Sequence, residues 1–352
     1  MATLYIQEKG YQLIRSLMGQ FNQFMTNDYE TTVHAGQAMI TRLKIPSLYN
    51  NYSRYLDALN INRSVFSLNF KSPITFAAFE SHLDSLQFWL DLGCGGGCFK
   101  TIRLEKSVGN PRPRLQKVSL NGKEHLINAL GLPGPGVNGL IDMINKHQII
   151  NDTRPLGFSI GGHTLNEYKR VCEILIPFAT NKIAQTYFEI NISCPNTDTG
   201  RSLHDNIDDL DDLIGFVRQK TDHVIAIKVS PDATDKNLCD IAKLATNYNN
   251  VTLNAGNTQL KSTSDVGLNN TAISIGKGGL SGPSLFKRTL QMVKLLQQFK
   301  LPIIATGGVS TADQVLAVLN EGAAIVGMAT QVAKNPYSVK RMNLTLAKHL
   351  NN

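Results

Sequence analysis

Several features that would assign a protein class are missing from this chain of 352 residues. No run approaches the ~20 apolar residues that a helix needs to cross a bilayer, so we expect no membrane span. The five cysteines are odd in number, lack the spacing of a disulfide framework and follow no cleavable signal, which favours a reducing, cytoplasmic compartment. The formal charge is +8, but lysine and arginine are scattered rather than gathered with interleaved aromatics. We therefore expect no nucleic acid as a partner, and favour anionic small molecules or an acidic membrane surface.

Metal ligands and a dinucleotide fingerprint are also lacking. Cys94 and Cys98 bracket three glycines, but further ligands do not cluster near them, so no metal is expected. A doubly wound nucleotide-binding sheet would carry a glycine-rich turn after its first strand. Residues 77–80 read Ala-Ala-Phe-Glu at that point and do not supply this fingerprint.

The chain does contain a regular alternation of apolar runs and helical patterns. Strands are predicted at residues 74–79, 98–104, 156–160, 187–192, 224–229, 251–254, 302–306 and 324–328. Helices are predicted between several of them, at residues 165–178, 207–219, 235–247, 283–299 and 311–321. Eight parallel strands over this span predict an α/β fold, a closed (β/α)8 TIM barrel over residues 63–352.

The first 62 residues differ from the rest and are predicted to form an amphipathic helical segment followed by a linker. Apolar residues recur there at helical spacing: Ile14, Met18, Phe21 and Met25. A second helical pattern spans residues 31–43, and Pro46 with the polar stretch 50–62 indicates the linker. Two such helices could cap the barrel core, or they could lie on a lipid surface with Lys9 and Arg15 at the headgroups.

A thiol follows the strand predicted at residues 187–192. Cys194 precedes Pro195, which removes a backbone donor and stops the strand. Asn191 and Asn196 flank the thiol, and their amides are costly to bury unless a polar partner meets them. Cys194 is therefore either a small buried thiol before a turn, or part of a site for a planar, carbonyl-rich ligand at the carboxyl end of a barrel strand.

Small residues end the last two predicted strands. Gly307 and Gly308 follow the seventh strand, and Ala329 and Thr330 follow the eighth. In many barrels the loops at these positions bind a phosphate group through backbone donors. The glycine-rich segment that ends at Gly282 is predicted to be a flexible loop that approaches the same phosphate. The alternative is that the glycines only relieve crowding at the strand ends.

Six ordered motifs resemble the dihydroorotate dehydrogenase family, whose members are flavin mononucleotide (FMN) barrels that oxidise dihydroorotate to orotate in pyrimidine synthesis. The motifs are GNPRPRL at 109–115, LINALGL at 126–132, INISCPNT at 190–197, IKVSPD at 227–232, GGLSG at 278–282 and the glycine pair at 307–308. The resemblance covers nearly the whole chain. The N-terminal helices look like those of the quinone-using, membrane-associated branch, where they form the quinone entrance. The resemblance thus implies FMN as cofactor, a quinone as electron acceptor and a peripheral position on the cytoplasmic membrane.

The resemblance also implies roles for two reactive side chains. Cys194 stands where the family keeps the general base that takes a proton from a ring carbon while a hydride passes to the flavin. The quinone-using branch usually has serine at this position and the soluble branch cysteine, so the residue itself suggests fumarate or another soluble acceptor. Lys228 is either a surface amine with a buried stem or a buried cation that stabilises negative charge on the reduced flavin, and the resemblance favours the second.

By resemblance, the site residues fall into two sets. The flavin set is Ala78, Thr101, Ser159, Asn191, Lys228, Asn254, Gly282, Gly307, Gly308, Ala329 and Thr330. The substrate set is His82, Asn128, Gly131, Leu132, Asn191, Asn196, Thr197 and Asn257.

The chain departs from the family pattern within these sets. His82 occupies the place of a lysine, Gly134 stands where a second asparagine would reach the substrate, and Ser159 replaces an asparagine. Either Asn254 or Asn257 could fill one ring-binding role. A pocket that loses polar partners should discriminate its old substrate poorly. Three functions are therefore considered: a dihydroorotate dehydrogenase with an altered pocket, a flavin oxidoreductase for another dihydropyrimidine or small enone, and a flavin-binding protein without turnover.

Overall fold

The computed structural model describes residues 2–26, 28–42, 54–147, 149, 152–193, 203 and 206–351. The strands are β1 (Arg63–Val65), β2 (Leu68–Phe70), β3 (Ile74–Phe76), β4 (Gly97–Ile102), β5 (Leu115–Leu120), β6 (Lys123–Asn128), β7 (Leu156–Ile160), β8 (Thr186–Asn191), β9 (Val224–Val229), β10 (Val251–Ala255), β11 (Gln259–Ser262), β12 (Lys277–Ser281), β13 (Ile303–Thr306) and β14 (Ile325–Met328). The helices are α1 (Ala2–Thr26), α2 (Glu30–Arg42), α3 (Arg54–Leu59), α4 (Leu83–Asp91), α5 (Gly136–Asn145), α6 (Leu165–Lys182), α7 (Ile207–Lys220), α8 (Asp235–Ala245), α9 (Phe286–Leu296), α10 (Ala312–Asn320), α11 (Thr330–Lys334) and α12 (Tyr337–Leu350).

Within these ranges, eight parallel strands close into a barrel in the order β3, β4, β7, β8, β9, β10, β13 and β14. The predicted (β/α)8 fold is confirmed, and each predicted strand overlaps an observed one. Helices cover the outside of the strands and side chains fill the inside, so the strands read as apolar runs in the sequence. Thr164 begins α6 by accepting a hydrogen bond from the backbone N–H of Glu167, and Thr234 and Thr311 cap α8 and α10 in the same way.

Two expectations about irregular segments are wrong. The stretch 50–62 was expected to be a linker, but α3 lies within it, because this helix packs against α12. Residues 43–53, with Pro46, lie outside the described residues. The segment before Gly282 is not a flexible loop but strand β12, in an antiparallel sheet ordered β11, β12, β6 and β5. A Cβ atom at Gly278 would lie 2.6 Å from the carbonyl oxygen of Asn128, so its glycine reflects close backbone approach rather than flexibility.

The two ends of the barrel differ in chemistry. At the amino end, the hairpin of β1 and β2 packs into an apolar cluster that contains Phe70, Tyr187 and Ile304. The rings of Phe70 and Tyr187 meet edge to face with their centroids 6.4 Å apart. This end is closed by apolar packing. Because all eight strands are parallel, the polar residues that follow them lie at the opposite, carboxyl end.

The N-terminal hairpin of α1 and α2 turns charged residues toward the rest of the molecule. Arg15 Nη2 lies 2.6 Å from Glu124 Oε1 of β6. Arg114 donates hydrogen bonds from two nitrogens to both carboxylate oxygens of Glu30, each at 2.8 Å. Arg15 is therefore held by β6, and its expected position at lipid headgroups is wrong.

The outer face of α1 is apolar and uncovered. Its side chains that are 44–69% exposed are Tyr5, Ile6, Leu13, Ile14, Leu17 and Phe21. This face does not pack on the barrel, whereas Tyr11 of the same helix packs against the core and donates a hydrogen bond to the carbonyl oxygen of Ala333. Among the helices described, none is both long and apolar enough to cross a membrane.

Candidate functional site

A cavity of about 1230 Å³ opens at the carboxyl end of the barrel. Its floor is formed by the ends of neighbouring strands, with Thr101 from β4, Asn191 from β8 and Lys228 from β9. The antiparallel sheet forms one wall, and the cavity extends outward to Tyr11 and Met18 of α1. The barrel floor and the N-terminal hairpin thus share one space.

A buried ion pair lies in the floor of this cavity. Lys228 Nζ lies 3.5 Å from Glu189 Oε1, and the two side chains are 6% and 2% exposed. Asn254 Nδ2 donates a hydrogen bond of 2.5 Å to the other carboxylate oxygen of Glu189. The strand register explains the cluster, because Lys228 pairs with Asn191 on one side and Asn254 on the other. The burial of Lys228 excludes the surface-amine interpretation.

A chain of polar side chains continues from the floor. Asn191 Nδ2 donates to Thr101 Oγ1 at 3.0 Å, and Thr101 Oγ1 lies 3.0 Å from Ser159 Oγ. Among the described residues, Asn191 Oδ1, Asn254 Oδ1 and Thr306 Oγ1 are buried without a hydrogen-bond partner. Such atoms are costly to bury unsatisfied. Asn191 and Thr306 line the cavity, so Asn191 Oδ1 indicates where a ligand N–H would bind, and the Thr306 hydroxyl where a ligand N–H or carbonyl would bind.

Glycines form a cradle at the ends of β12 and β13. Gly282, Gly307 and Gly308 have φ values of 130°, 127° and 72°, which other residues rarely adopt. A Cβ atom at Gly308 would lie 2.3 Å from the backbone nitrogen of Phe286. Thr330 donates a hydrogen bond of 2.9 Å to Ser281 and joins the two sides of the cradle. Only glycine fits this geometry. Because these glycines line the cavity, their backbone N–H groups can bind an anionic group such as a phosphate.

The structure brings most members of the expected flavin set together. Those that line the cavity are Ala78, Thr101, Asn191, Lys228, Gly282, Gly307, Gly308, Ala329 and Thr330. Ser159 and Asn254 do not line it, because they lie buried beneath Thr101 and Lys228. These two residues therefore support the floor.

The expected substrate set divides in a similar way. Those that line the cavity are His82, Asn128, Gly131, Leu132, Asn191 and Asn257. Since Asn257 reaches the cavity and Asn254 does not, the structure favours Asn257 for the ring-binding role that the sequence left open between them. Cys194, Asn196 and Thr197 lie outside the described residues. Ser193 is the last described residue before them, and it lines the cavity.

His82 is engaged elsewhere, although it borders the cavity. Its Nδ1 lies 2.8 Å from Ser85 Oγ, and its Nε2 lies 3.2 Å from Thr41 Oγ1 of α2. Both ring nitrogens thus have partners on helices. His82 lines the cavity, as expected for the substrate set, but its ring nitrogens contact α4 and α2 rather than the cavity.

Sequence reasoning missed two charged residues of the barrel. Glu189 and Lys100 are the single charged residues of the strands β8 and β4. A single charge in a buried strand is the signal that could have found them, because such a charge requires a partner or a ligand. For Glu189 that partner is Lys228, whose sequence position is distant.

Comparisons with known proteins agree on one family. A sequence model described as dihydroorotate dehydrogenase matches residues 60–350. The dihydroorotate dehydrogenase (quinone) of Clavibacter sepedonicus is 30% identical over 338 residues, which cover 91% of this chain and 95% of that protein. The protein with the same name from Mycobacterium bovis is 29% identical over 275 residues, which cover 75% of this chain and 73% of that protein. A crystal structure of DHODH from Eimeria tenella in complex with ferulenol superimposes with a TM-score of 0.74 over 90% of this chain and 91% of that one. At 21% identity this last likeness concerns the fold.

Proposed function

Because this chain belongs to the dihydroorotate dehydrogenase family, we propose that it oxidises dihydroorotate to orotate with bound FMN and passes the electrons to a quinone. The observation that carries the proposal is the floor of the cavity. Buried Lys228 and the unsatisfied Asn191 Oδ1 lie at the carboxyl ends of adjacent strands. A planar, polar ring in the cavity would contact both groups.

The residues present fit FMN. The cradle of Gly282, Gly307 and Gly308 suits its phosphate, since all three glycines line the cavity and their backbone N–H groups can donate hydrogen bonds to an anion. Lys228 supplies a positive charge for the electron-rich part of the ring system, and Asn191 Oδ1 can accept a hydrogen bond from a ring N–H. FMN, when bound, supplies the hydride acceptor of the reaction.

Side chains of the protein would remove the proton and bind the substrate ring. The substrate loses a proton from one ring carbon and a hydride from its neighbour, and we assign the proton to the Cys194 thiolate. Asn128, Asn191 and Asn257 would bind the polar edge of the ring, together with Asn196 and Thr197. Closing this site against water would strengthen these hydrogen bonds.

We assign quinone entry to residues 1–62. The cavity reaches α1 at Tyr11, Ile14 and Met18, which gives an apolar molecule a path toward the barrel. The exposed face of α1, with Leu13, Leu17 and Phe21, is suited to the interface of a lipid bilayer. The chain would then sit peripherally on the cytoplasmic membrane.

Anaerobic addition of dihydroorotate to the purified yellow protein tests the proposed reaction. We expect the absorbance of the oxidised flavin to bleach with formation of orotate. Bleaching by another dihydropyrimidine instead would support the second candidate function, which is favoured by Gly134 and by the engaged ring of His82. A yellow protein that no such compound bleaches would contradict both.

Charges on the outer face of α1 should separate quinone use from dihydroorotate oxidation. Leu17→Glu with Phe21→Glu should abolish binding to anionic vesicles and lower quinone turnover at least ~10-fold, because burying carboxylates in lipid is unfavourable. Turnover with a soluble dye should stay unchanged. Gln291→Glu with Gln298→Glu adds the same charge on exposed positions of the α9 region and is the control. Equal loss of dye and quinone turnover in the α1 variant would contradict the assignment of residues 1–62.

A further inference from the structure

Strand β4 has an extra residue beside the cavity. Phe99 pairs with Phe158 of β7, and Ile102 pairs with Ile160, so three steps along β4 match two steps along β7. Lys100 and Thr101 are the residues between these pairs. Such a bulge redirects side chains and is frequent next to active sites. Here it allows two consecutive residues, Lys100 and Thr101, to line the same cavity.

The backbone holds this bulge in place. The N–H of Lys100 donates a hydrogen bond of 2.9 Å to the carbonyl oxygen of Glu80, in the loop that follows β3. That loop also carries Ala78 and His82, which border the cavity. Lys100 therefore lies on the same side of the cavity as His82, whose ring nitrogens contact Ser85 of α4 and Thr41 of α2 instead of the cavity.

The carboxylates nearest to Lys100 already have other partners. Glu80 accepts hydrogen bonds from the backbone N–H groups of Ser81 and His82 and from Gln37 Nε2. Glu30 is held by Arg114 through two hydrogen bonds. Within the described part of the chain, no carboxylate lies within 4.0 Å of the Lys100 ammonium group.

The charge of Lys100 is thus poorly compensated by the protein. Burial lowers the pKa of Lys100, the carboxylates of Glu80 and Glu30 raise it in part, and Arg114 lowers it further. Lys100 is half-buried, and a half-buried cation without a close counter-ion is unfavourable, so an anionic ligand would compensate its charge. The cavity is where such a ligand would enter.

We propose that Lys100 binds the carboxylate of the ring substrate and selects the acid over the neutral ring, an inference that rests on the proposed function. Dihydroorotate and orotate carry this carboxylate, and uracil is the orotate ring without it. Lys100 would replace the cationic contact that His82 does not provide, because the ring nitrogens of His82 are bonded to Ser85 and Thr41.

Ligand binding to the oxidised, FMN-loaded full chain tests this inference. Orotate and uracil would be titrated against the wild type and Lys100→Met, with the change in flavin absorbance as the signal. We expect Lys100→Met to weaken orotate binding by about 10- to 100-fold, the range for a hydrogen bond to a charged group, and to leave uracil binding unchanged. Lys100→Arg should restore a preference for orotate. Lys277→Met removes another cation that lines the cavity and should bind orotate like the wild type.

Two further measurements do not depend on turnover. The melting temperature of Lys100→Met without ligand should equal or exceed that of the wild type, because a half-buried charge without a close counter-ion is removed. Orotate affinity of the wild type should fall as pH rises through the lowered pKa of Lys100, since only the ammonium form attracts the carboxylate, and Lys100→Met should lack this dependence.

The outcomes separate this inference from the proposed function. If dihydroorotate bleaches the wild type but Lys100→Met binds orotate within about twofold of it, the inference is wrong and the proposed function stands. If both orotate and uracil weaken equally in Lys100→Met, its role is structural and the inference is again wrong. If the wild type binds no orotate and is not bleached by dihydroorotate, both proposals are overturned.

Discussion

Lys228→Ala should yield a protein that is purified without its yellow flavin. The substitution removes the cation in the cavity floor and leaves Glu189, only 2% exposed, as a buried charge without its partner. Breaking a buried ion pair by removing one member typically costs about 3–5 kcal/mol, so we also expect a lower melting temperature. The ratio of flavin to protein, measured by absorbance after denaturation, checks the first result, and thermal unfolding checks the second. A fully yellow Lys228→Ala protein would contradict the assignment.

A double variant separates flavin binding from support of the fold. In Lys228→Ala with Glu189→Gln, the unpaired carboxylate is gone, and the amide can still bond to Asn254. Stability should therefore recover in large part, whereas flavin affinity should remain low if Lys228 contacts the flavin directly. Recovery of full flavin content would show that Lys228 acts only by neutralising Glu189.

Cys194→Ala should retain the flavin but lose its reduction by dihydroorotate at neutral pH. A positioned general base contributes roughly 10²- to 10⁴-fold, and we expect a loss in that range in the anaerobic rate of bleaching. Other thiols cannot take over, because Cys94, Cys98, Cys172 and Cys239 do not line the cavity. Burial also raises the pKa of Cys94 and of Cys172 to about 12. Stopped-flow absorbance at saturating dihydroorotate is the measurement.

Two further variants test whether the loss of reduction is specific to the Cys194 thiol. Cys239→Ala removes a half-buried thiol on α8 and should be reduced at the wild-type rate. Cys194→Ser should keep slow reduction that rises at high pH, since a hydroxyl is a weaker acid than a thiol of pKa about 8.5. Near-normal reduction of Cys194→Ala at neutral pH would remove Cys194 from the role of base.

The barrel was predictable because its strands are buried on both faces. Runs such as 224–227 and 324–328 are wholly apolar, so their type can be read from the local sequence. The antiparallel sheet was missed for the opposite reason. Strands such as β5 and β6 mix charged and apolar residues, and β12 looks like a flexible glycine segment until its close approach to Asn128 is seen.

The site was predictable in its members more than in their contacts. Asn191 and Lys228 lie in the last two residues of their strands and the glycines at 307–308 follow another strand, and the structure brings all of them to one cavity. The choice of Asn257 over Asn254 depended on which side chain reaches that cavity. The orientation of the His82 ring could not be predicted, because its Nε2 contacts Thr41 of α2, a residue far away in sequence.

By itself, the amino-acid sequence determined the eight strands, their closure into a barrel and the end at which the reactive residues collect, because burial and strand ends leave local patterns. Only the tertiary structure decided which charges are paired. Parallel register places Glu189 beneath Lys228, and a one-residue bulge turns Lys100 into the cavity while its neighbouring carboxylates are held by other donors. These pairings depend on distances between strands and loops that are remote in sequence, and no local pattern encodes such distances.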